Sequence, residues 1–286
     1  MEFALNYSTQ AAALLREGRI EIDRFKCPDW SDLVAQALAI RPVYVHFPLR
    51  AGTGTVGETD WSQIHAFLEQ TNTPCVNLHL APKVKDFPGI PTDTQDPTHV
   101  EMIVERMIAD VEQVVVQFGS DRVIVENVPL RIAEDKFLRP AVEPAVIRRV
   151  VEATGCGLLL DLSHARITAR NLDLDEREYV SQLPVERLRE LHITGLGLKD
   201  GRLADHLPMT SEDWPAVEWA FERIGAGDWA RPLIVAVEYG GVGASFAWRS
   251  NAAVIAADVP RLYALHREAS IAGARLTNKS ASKPTT

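Results

Sequence analysis

Eight short runs rich in Val, Ile and Leu, each followed by a longer stretch of helical periodicity, constrain this chain more than any other feature. The runs are Phe3 to Tyr7, Ile20 to Phe25, Val43 to Phe47, Cys75 to Leu80, Arg122 to Val128, Gly157 to Leu162, Leu188 to Ile193 and Leu233 to Val237. They lack strict polar/apolar alternation, as expected of strands covered on both faces. Strands alternating with helices imply βα units and a parallel sheet. Ser8, Asp29, Thr59 or Asp60, and Ser211 mark helix starts. The longest helical pattern runs from Pro97 to Phe118, with Val100, Ile103, Val104, Met107, Val111 and Val114 recurring at helical spacing. No GxGxxG follows the first strand and no Walker loop occurs, so a closed (β/α)8 TIM barrel is favoured over an open doubly wound sheet.

A barrel of this kind needs roughly 250 residues, and the chain has 286. The expectation is therefore one α/β barrel domain over residues 1–271 and a disordered C-terminal tail over 272–286, with Lys83 to Asp96 a long loop rather than a boundary. A hydrophobic content of 46% supports a large core without cross-links. The formal charge of -9 repels nucleic-acid phosphates, so nucleic acid is not the expected partner. Three cysteines, Cys27, Cys75 and Cys156, with no CxxC pair, argue against a disulfide framework or a thiolate zinc site. With neither a signal-peptide pattern nor an apolar run of membrane-spanning length, the expected location is the cytoplasm, with no membrane partner.

Barrel enzymes assemble their sites at the carboxyl ends of the strands. There this chain places metal-ligand types: His46, His79, Glu126, Asp161, His192 and Glu238 on successive strands, His164 three residues past Asp161, and Asp205 and His206 in the loop after the seventh strand. Five of the eight histidines fall in this set, while His65, His99 and His266 lie in helical segments. Burying Glu126, Asp161 and Glu238 in one mouth costs several kcal/mol per ion unless cations neutralise them. Imidazole with carboxylate suits zinc, iron or manganese. So many ligands exceed one ion, and Glu126 or Glu238 could bridge two ions about 3.5 to 4 Å apart. Glu126, Glu238 and Asp161 are thus the catalytic candidates. Asn127, Arg166 and Arg170 are candidates for substrate binding, with Arg50 and Lys83 also placed to meet an anion. Asn6 and Glu21 reach the same mouth if the first two strands have the register given above. Gly240 to Gly243 could let a phosphate or peptide backbone approach, and Trp214 and Trp219 read as packing.

Val45-His46 with Pro48-Leu49, His79-Leu80-Ala81, Glu126-Asn127-Val128, Leu159-Leu160-Asp161 with Ala169-Arg170-Asn171, and Glu190-Leu191-His192-Ile193-Thr194-Gly195 together resemble motifs of the multinuclear non-haem iron-dependent oxidative enzymes, a barrel family known from methanobactin biosynthesis. That family belongs to the xylose-isomerase-like superfamily. The resemblance implies two or three divalent ions, iron favoured, that activate dioxygen and oxidise a small molecule or a residue of a ribosomally made precursor peptide held by a partner protein. Pro82 stands where the family usually has tryptophan, Ser163 and His164 where it has asparagines, and Asp205-His206 is all that remains of an acidic, histidine-rich loop. Asp161-x-x-His164 is similar to the three-zinc apurinic endonucleases. Glu126, Asp161, His192 and Glu238 look like the one-metal set of sugar isomerases and epimerases, where the two glutamates act as acid and base. A non-enzymatic metal-binding barrel is the fourth reading.

Overall fold

The computed structural model describes residues 1–130, 137–244 and 246–281, with side chains described to Ala274. The barrel strands are β1 (Glu2–Asn6), β2 (Arg24–Pro28), β3 (Val43–His46), β4 (Leu49–Ala51), β5 (Val76–Leu80), β6 (Val123–Glu126), β7 (Gly157–Asp161) and β8 (Leu188–Ile193). A hairpin, β9 (Gly195–Lys199) and β10 (Arg202–Leu207), precedes the last barrel strand, β11 (Ile234–Val237). Helices α1 (Thr9–Arg16), α2 (Ser31–Leu38), α3 (Trp61–Thr71), α4 (Pro97–Phe118), α5 (Pro144–Thr154), α6 (Leu162–Asn171), α7 (Glu176–Gln182), α8 (Trp214–Ala226) and α9 (Ala252–Ala281) connect and cover them. The expected start of the tail at residue 272 falls inside α9, and residues 282–286 lie outside the described residues.

The parallel sheet runs β3-β2-β1-β11-β8-β7-β6-β5-β4. Its two edges are halves of one strand, because β3 and β4 are separated only by Phe47 and Pro48. Proline cannot donate to a ladder and breaks the strand there. Asn77 on β5 fills the gap with its side chain, accepting from Phe47 N at 2.7 Å and donating to Phe47 O at 2.9 Å. Counting that broken strand once, eight strands close the barrel as the sequence predicts.

Alternation along each strand divides the apolar residues into two populations. One large cluster, including Phe3, Leu5, Val45, Leu78, Val125, Leu160 and Val235, packs between sheet and helices. Two small ones, Ala4 with Tyr44, Ile234 and Ala236, and Cys75 with Ile124 and Leu159, belong to the opposite strand faces and plug the barrel interior. Above that plug, the next inward position on each strand is polar. That step from apolar to polar sets the floor of the site.

Helix capping follows local chemistry in part. Ser8 and Asp60 accept from the first-turn amides of α1 and α3, as expected from sequence. Two expected starts move: α2 begins after Trp30 rather than Asp29, and α8 after Asp213 rather than Ser211. β2 is displaced from the expected Ile20 to Phe25, and this has the largest consequence for the site.

Candidate metal centre

Strand register gathers the sequence-predicted ligands. His79 pairs in register with Glu126, and Asp161 with His192. His46 ends β3, and Glu238 follows β11 with its amide donating to Ile193 O at 2.9 Å. Among the described residues, three sets of donor atoms lie close enough to hold an ion: His46, Glu126 and His192; Glu126, Asp161 and His164; and Asp161, His192 and Glu238.

Around Glu126 the geometry is that of a ligand cage. His79 Nε2 and His46 Nε2 stand 3.2 and 3.4 Å from Glu126 Oε2 and 3.4 Å from each other. Donor atoms each about 2.1 Å from one ion are separated by roughly 3.0 to 3.4 Å, so these separations match a shared cation. Glu126 Oε2 and Asp161 Oδ2 are buried without a hydrogen-bond partner. Orphaned carboxylate oxygens are costly unless an ion takes them. On the other oxygen, His164 Nδ1 lies 3.6 Å from Glu126 Oε1.

The imidazole tautomers follow from what each ring touches outside the cage. His79 Nδ1 donates to Leu49 O at 3.1 Å, and His164 Nδ1 to Asn127 O at 2.9 Å. His206 Nδ1 donates to Glu238 O at 2.8 Å, and His192 Nε2 to Glu190 Oε1 at 2.7 Å. For His79, His206 and His192 the bond leaves a lone pair on the other nitrogen, the arrangement that metal-binding histidines show. His164 also donates through Nε2 to Asp205 Oδ2 at 2.9 Å and must give up that proton to bind an ion. His46 differs: Asn77 Nδ2 approaches its Nε2 at 3.1 Å, and its Nδ1 is buried without a partner.

Asp205 and His206 lie on β10, not in a plain loop, and a bulge brings both to the mouth. Consecutive strand residues normally face opposite ways. The β9–β10 register breaks between Ala204 and Leu207, and His206 adopts φ +57°, in the left-handed region that histidine tolerates better than most residues. Asp205 Oδ2 thereby comes 2.9 Å from His164 Nε2, while His206 Nδ1 lies 3.8 Å from Glu238 Oε2. Gly195 makes the hairpin base possible, since a Cβ there would sit 2.1 Å from Pro208 O.

Glu238 has a different neighbour. Lys26, from β2, ion-pairs with Glu238 Oε1 and places Nζ 3.3 and 3.1 Å from Nδ1 and Nε2 of His192. Sequence reasoning missed Lys26 because it placed β2 too early; the true strand, Arg-Phe-Lys-Cys-Pro, carries cations on its inward face and only Phe25 and Cys27 on its apolar one. Glu190 was also missed as a site residue. It lies two residues before His192, hence on the same strand face, and its Oε1 also accepts from Tyr44 Oη at 2.9 Å.

Burial and mutual charge shift the protonation of these groups in opposite directions. Burial, reinforced by Glu238 and Glu126, pushes Asp161 up to about 7. Against burial, the carboxylates of Asp161, Asp205 and Glu126 push His164 up to about 10. Burial first, then the Lys26 charge and the neighbouring imidazoles, holds His46 well below its ordinary value. Burial also works to raise Glu238, but the Lys26 ammonium and then His192 hold it well below the usual carboxylate range. Without bound cations, Asp161 and His164 therefore hold protons where ions would bind, while His46 stays neutral.

The substrate-binding candidates are placed elsewhere. Arg166 is buried in a clamp, donating to Glu176 Oε2 and Asp213 Oδ1, each at 2.7 Å, and to Glu212 O. Arg170 donates to the same Glu176 at 2.6 Å. Neither lines the mouth. Asn127 exchanges hydrogen bonds with the Asp161 backbone at 3.0 and 2.9 Å and so fixes β6 against β7. Glu21 precedes β2 and accepts from Tyr263 Oη instead of reaching the mouth. The mouth opens into a cavity of about 600 Å³ walled by Asn6, Trp30, Arg50, Gly241, Phe246 and Arg249. Gly240 lets β11 turn beside β1, since a Cβ there would meet Asn6 O at 2.6 Å.

In fold, the chain is similar to a D-tagatose 3-epimerase-like protein (TM-score 0.54, 10% identity, 97% of this chain and 100% of that one). It is also similar to endonuclease IV from Thermus thermophilus (TM-score 0.52, 14% identity, 94% and 100%). At these identities the likeness is one of fold. A UPF0276 protein of Rhizobium meliloti is 34% identical over 76 residues, 27% of this chain and 25% of that protein. Another, from Acaryochloris marina, is 30% identical over 122 residues, 41% of this chain and 43% of that protein. These alignments span less than half the length of either relative. The model of the RiPP precursor modification enzymes MbnB/TglH/ChrH matches residues 25–227, from β2 through α8 and including every candidate ligand except Glu238, and the chain belongs to that family.

Proposed function

We propose that this metal-dependent barrel enzyme is a non-haem iron oxidase with more than one ion, acting on a residue of a ribosomally made precursor peptide. One observation carries the metal centre: His46, His79 and His164 converge on Glu126, whose Oε2 is buried and orphaned. Family membership supports the peptide substrate. The donor set of imidazoles and carboxylates suits iron. No cysteine belongs to the three donor sets, and burial pushes the Cys27 and Cys75 thiols up to about 12.

Glu126, with an oxygen toward each flanking group of histidines, would bridge two ions. His46 and His79 would complete one position, and Asp161 with His164 the other. Iron bound there supplies one-electron chemistry toward dioxygen. The chain's own part is to fix the imidazole lone pairs through Leu49 O, Asn127 O and Glu190, and to exclude bulk water by burial. Arg50 and Arg249 in the cavity wall are placed to receive an anionic group of the substrate. A partner protein that delivers the peptide, and a cytoplasmic setting, belong to the same proposal; no helix among the described residues is long and apolar enough to cross a membrane.

An epimerase using one ion would leave His46, His79 and His164 without work, and its second glutamate, Glu238, is already paired with Lys26. A DNA-cleaving reading conflicts with the charge of -9. The test is anaerobic purification with iron, metal analysis, and oxygen uptake in the presence of short peptides encoded beside the gene. Peptide-dependent oxygen consumption with a mass change in the peptide supports the oxidase. One manganese per chain with turnover of a ketose overturns it, and full loading without any turnover selects a metal-binding barrel.

A further inference from the structure

Lys26 stands where one of the three candidate ion positions would be filled. Its ammonium is buried, ion-paired with Glu238 Oε1, and within 3.3 Å of both ring nitrogens of His192. Glu238 and His192 are two of the three donors in the set completed by Asp161. His192 donates through Nε2 to Glu190, so the nitrogen left for a cation is Nδ1, which stands 3.3 Å from Glu238 Oε1. An ion bound between those two atoms would share that space with Nζ, two cations in van der Waals contact in a buried site. The stem cannot simply lie in water, because β2 holds Lys26 in register between Asn6 of β1 and Tyr44 of β3 and its side chain is 5% exposed.

Of the other two sets, that of Glu126, Asp161 and His164 carries no such guest, while that of His46 and Glu126 shares only His192 with Lys26. Glu126 Oε2 lacks a hydrogen-bond partner, as does Asp161 Oδ2. His79 lies against Glu126 and supplies the first set with a donor that Lys26 does not touch. We propose that Lys26 is a built-in cation that takes the place of an ion at the Asp161, His192 and Glu238 group and limits the centre to no more than two ions, both on the Glu126 side. Lys26 is thus a positioning residue for the metal centre, and Glu238 holds it rather than serving as a free ligand. The inference rests on the metal-centre reading above but not on iron or on oxidation.

The experiment counts ions per chain by elemental mass spectrometry after anaerobic loading with Fe(II) and, separately, with Zn(II). It is applied to the wild-type protein, Lys26→Met and Lys26→Gln, with circular dichroism confirming the fold. Wild type should hold no more than two ions of either metal, and each variant one more than wild type. The glutamine variant keeps a polar, similarly long side chain in case the methionine variant does not fold. Three ions in wild type, or an unchanged count in a folded variant, overturns the proposal and leaves the oxidase reading intact. Failure of both metals to bind overturns the two together, whereas zinc loading as expected without any oxygen chemistry overturns only the oxidase.

Discussion

The two sides of the barrel mouth bury comparable charge and neutralise it differently. Around Glu126 two carboxylate oxygens are orphaned and the His79 ring directs a lone pair inward. Around Glu238 the chain supplies its own ammonium, Lys26. A buried acid is therefore not by itself a metal ligand. What stands opposite it decides, and only one side of this mouth is left in need of ions.

Glu126→Gln should break this asymmetry most severely. It removes the charge shared by the two proposed positions, and the expected result is loss of all bound iron by elemental analysis. The metal-free variant should melt at or above the metal-free wild type, because the substitution removes an orphaned buried charge. Retention of two ions would show that Glu126 is not the bridge.

Glu238→Gln should do the converse. Ions on the Glu126 side stay, but Lys26 loses its charge partner in a buried setting, a change that costs about 3 to 5 kcal/mol in chemical denaturation. A variant as stable as wild type that has lost its metal would reverse the assignment of the two sides.

Glu190→Gln probes His192, which borders both sides. Its Nε2–H bond to Glu190 fixes the ring, and weakening such a partner lowers metal affinity by about 10- to 100-fold, or about 1.4 to 2.7 kcal/mol. Competition with a chelator of known affinity measures it. An unchanged affinity would remove His192 from the centre.

How much of this was legible in the sequence followed the same division. His79, Glu126, Asp161 and His192 end strands whose apolar runs are unmistakable, so their placement at one rim could be reasoned from period and order alone. β2 could not be placed so well: its inward residues, Arg24 and Lys26, are charged, and the neighbouring apolar residues Ile20 and Ile22 drew the expected strand too early. The break at Pro48 and its repair by the Asn77 side chain are tertiary facts. The same holds for Arg166, which a linear reading puts near the mouth but whose guanidinium is taken by Glu176 and Asp213. Asp205 and His206 were recognisable as ligand types, while the bulge that turns both inward was not.

The smallest expected effect separates the two sides by pH. Asp161 is pushed from an ordinary 3.8 to about 7, and His164 from 6.5 to about 10, so both favour the protonated form in the metal-free fold. The stability they contribute is fully present at low pH and is lost as pH rises, first through about 7 and then toward about 10. Glu238 is depressed, and its contribution is present above the ordinary carboxylate value and lost only as pH falls well below it. Between about pH 7 and about pH 9, above the range where the depressed His46 and His206 act in the opposite sense, the metal-free protein should therefore show a falling melting temperature. His164 on the Glu126 side contributes most to that fall, and the raised His192 adds to it. Bound ions displace those protons, so the metal-loaded protein should lose this slope, and affinity should rise with pH over the same interval. Thermal melts of both forms across that interval measure it. A metal-free melting temperature that rises with pH would mean that the carboxylates around Glu126 are already neutralised by something in the chain, as Glu238 is by Lys26.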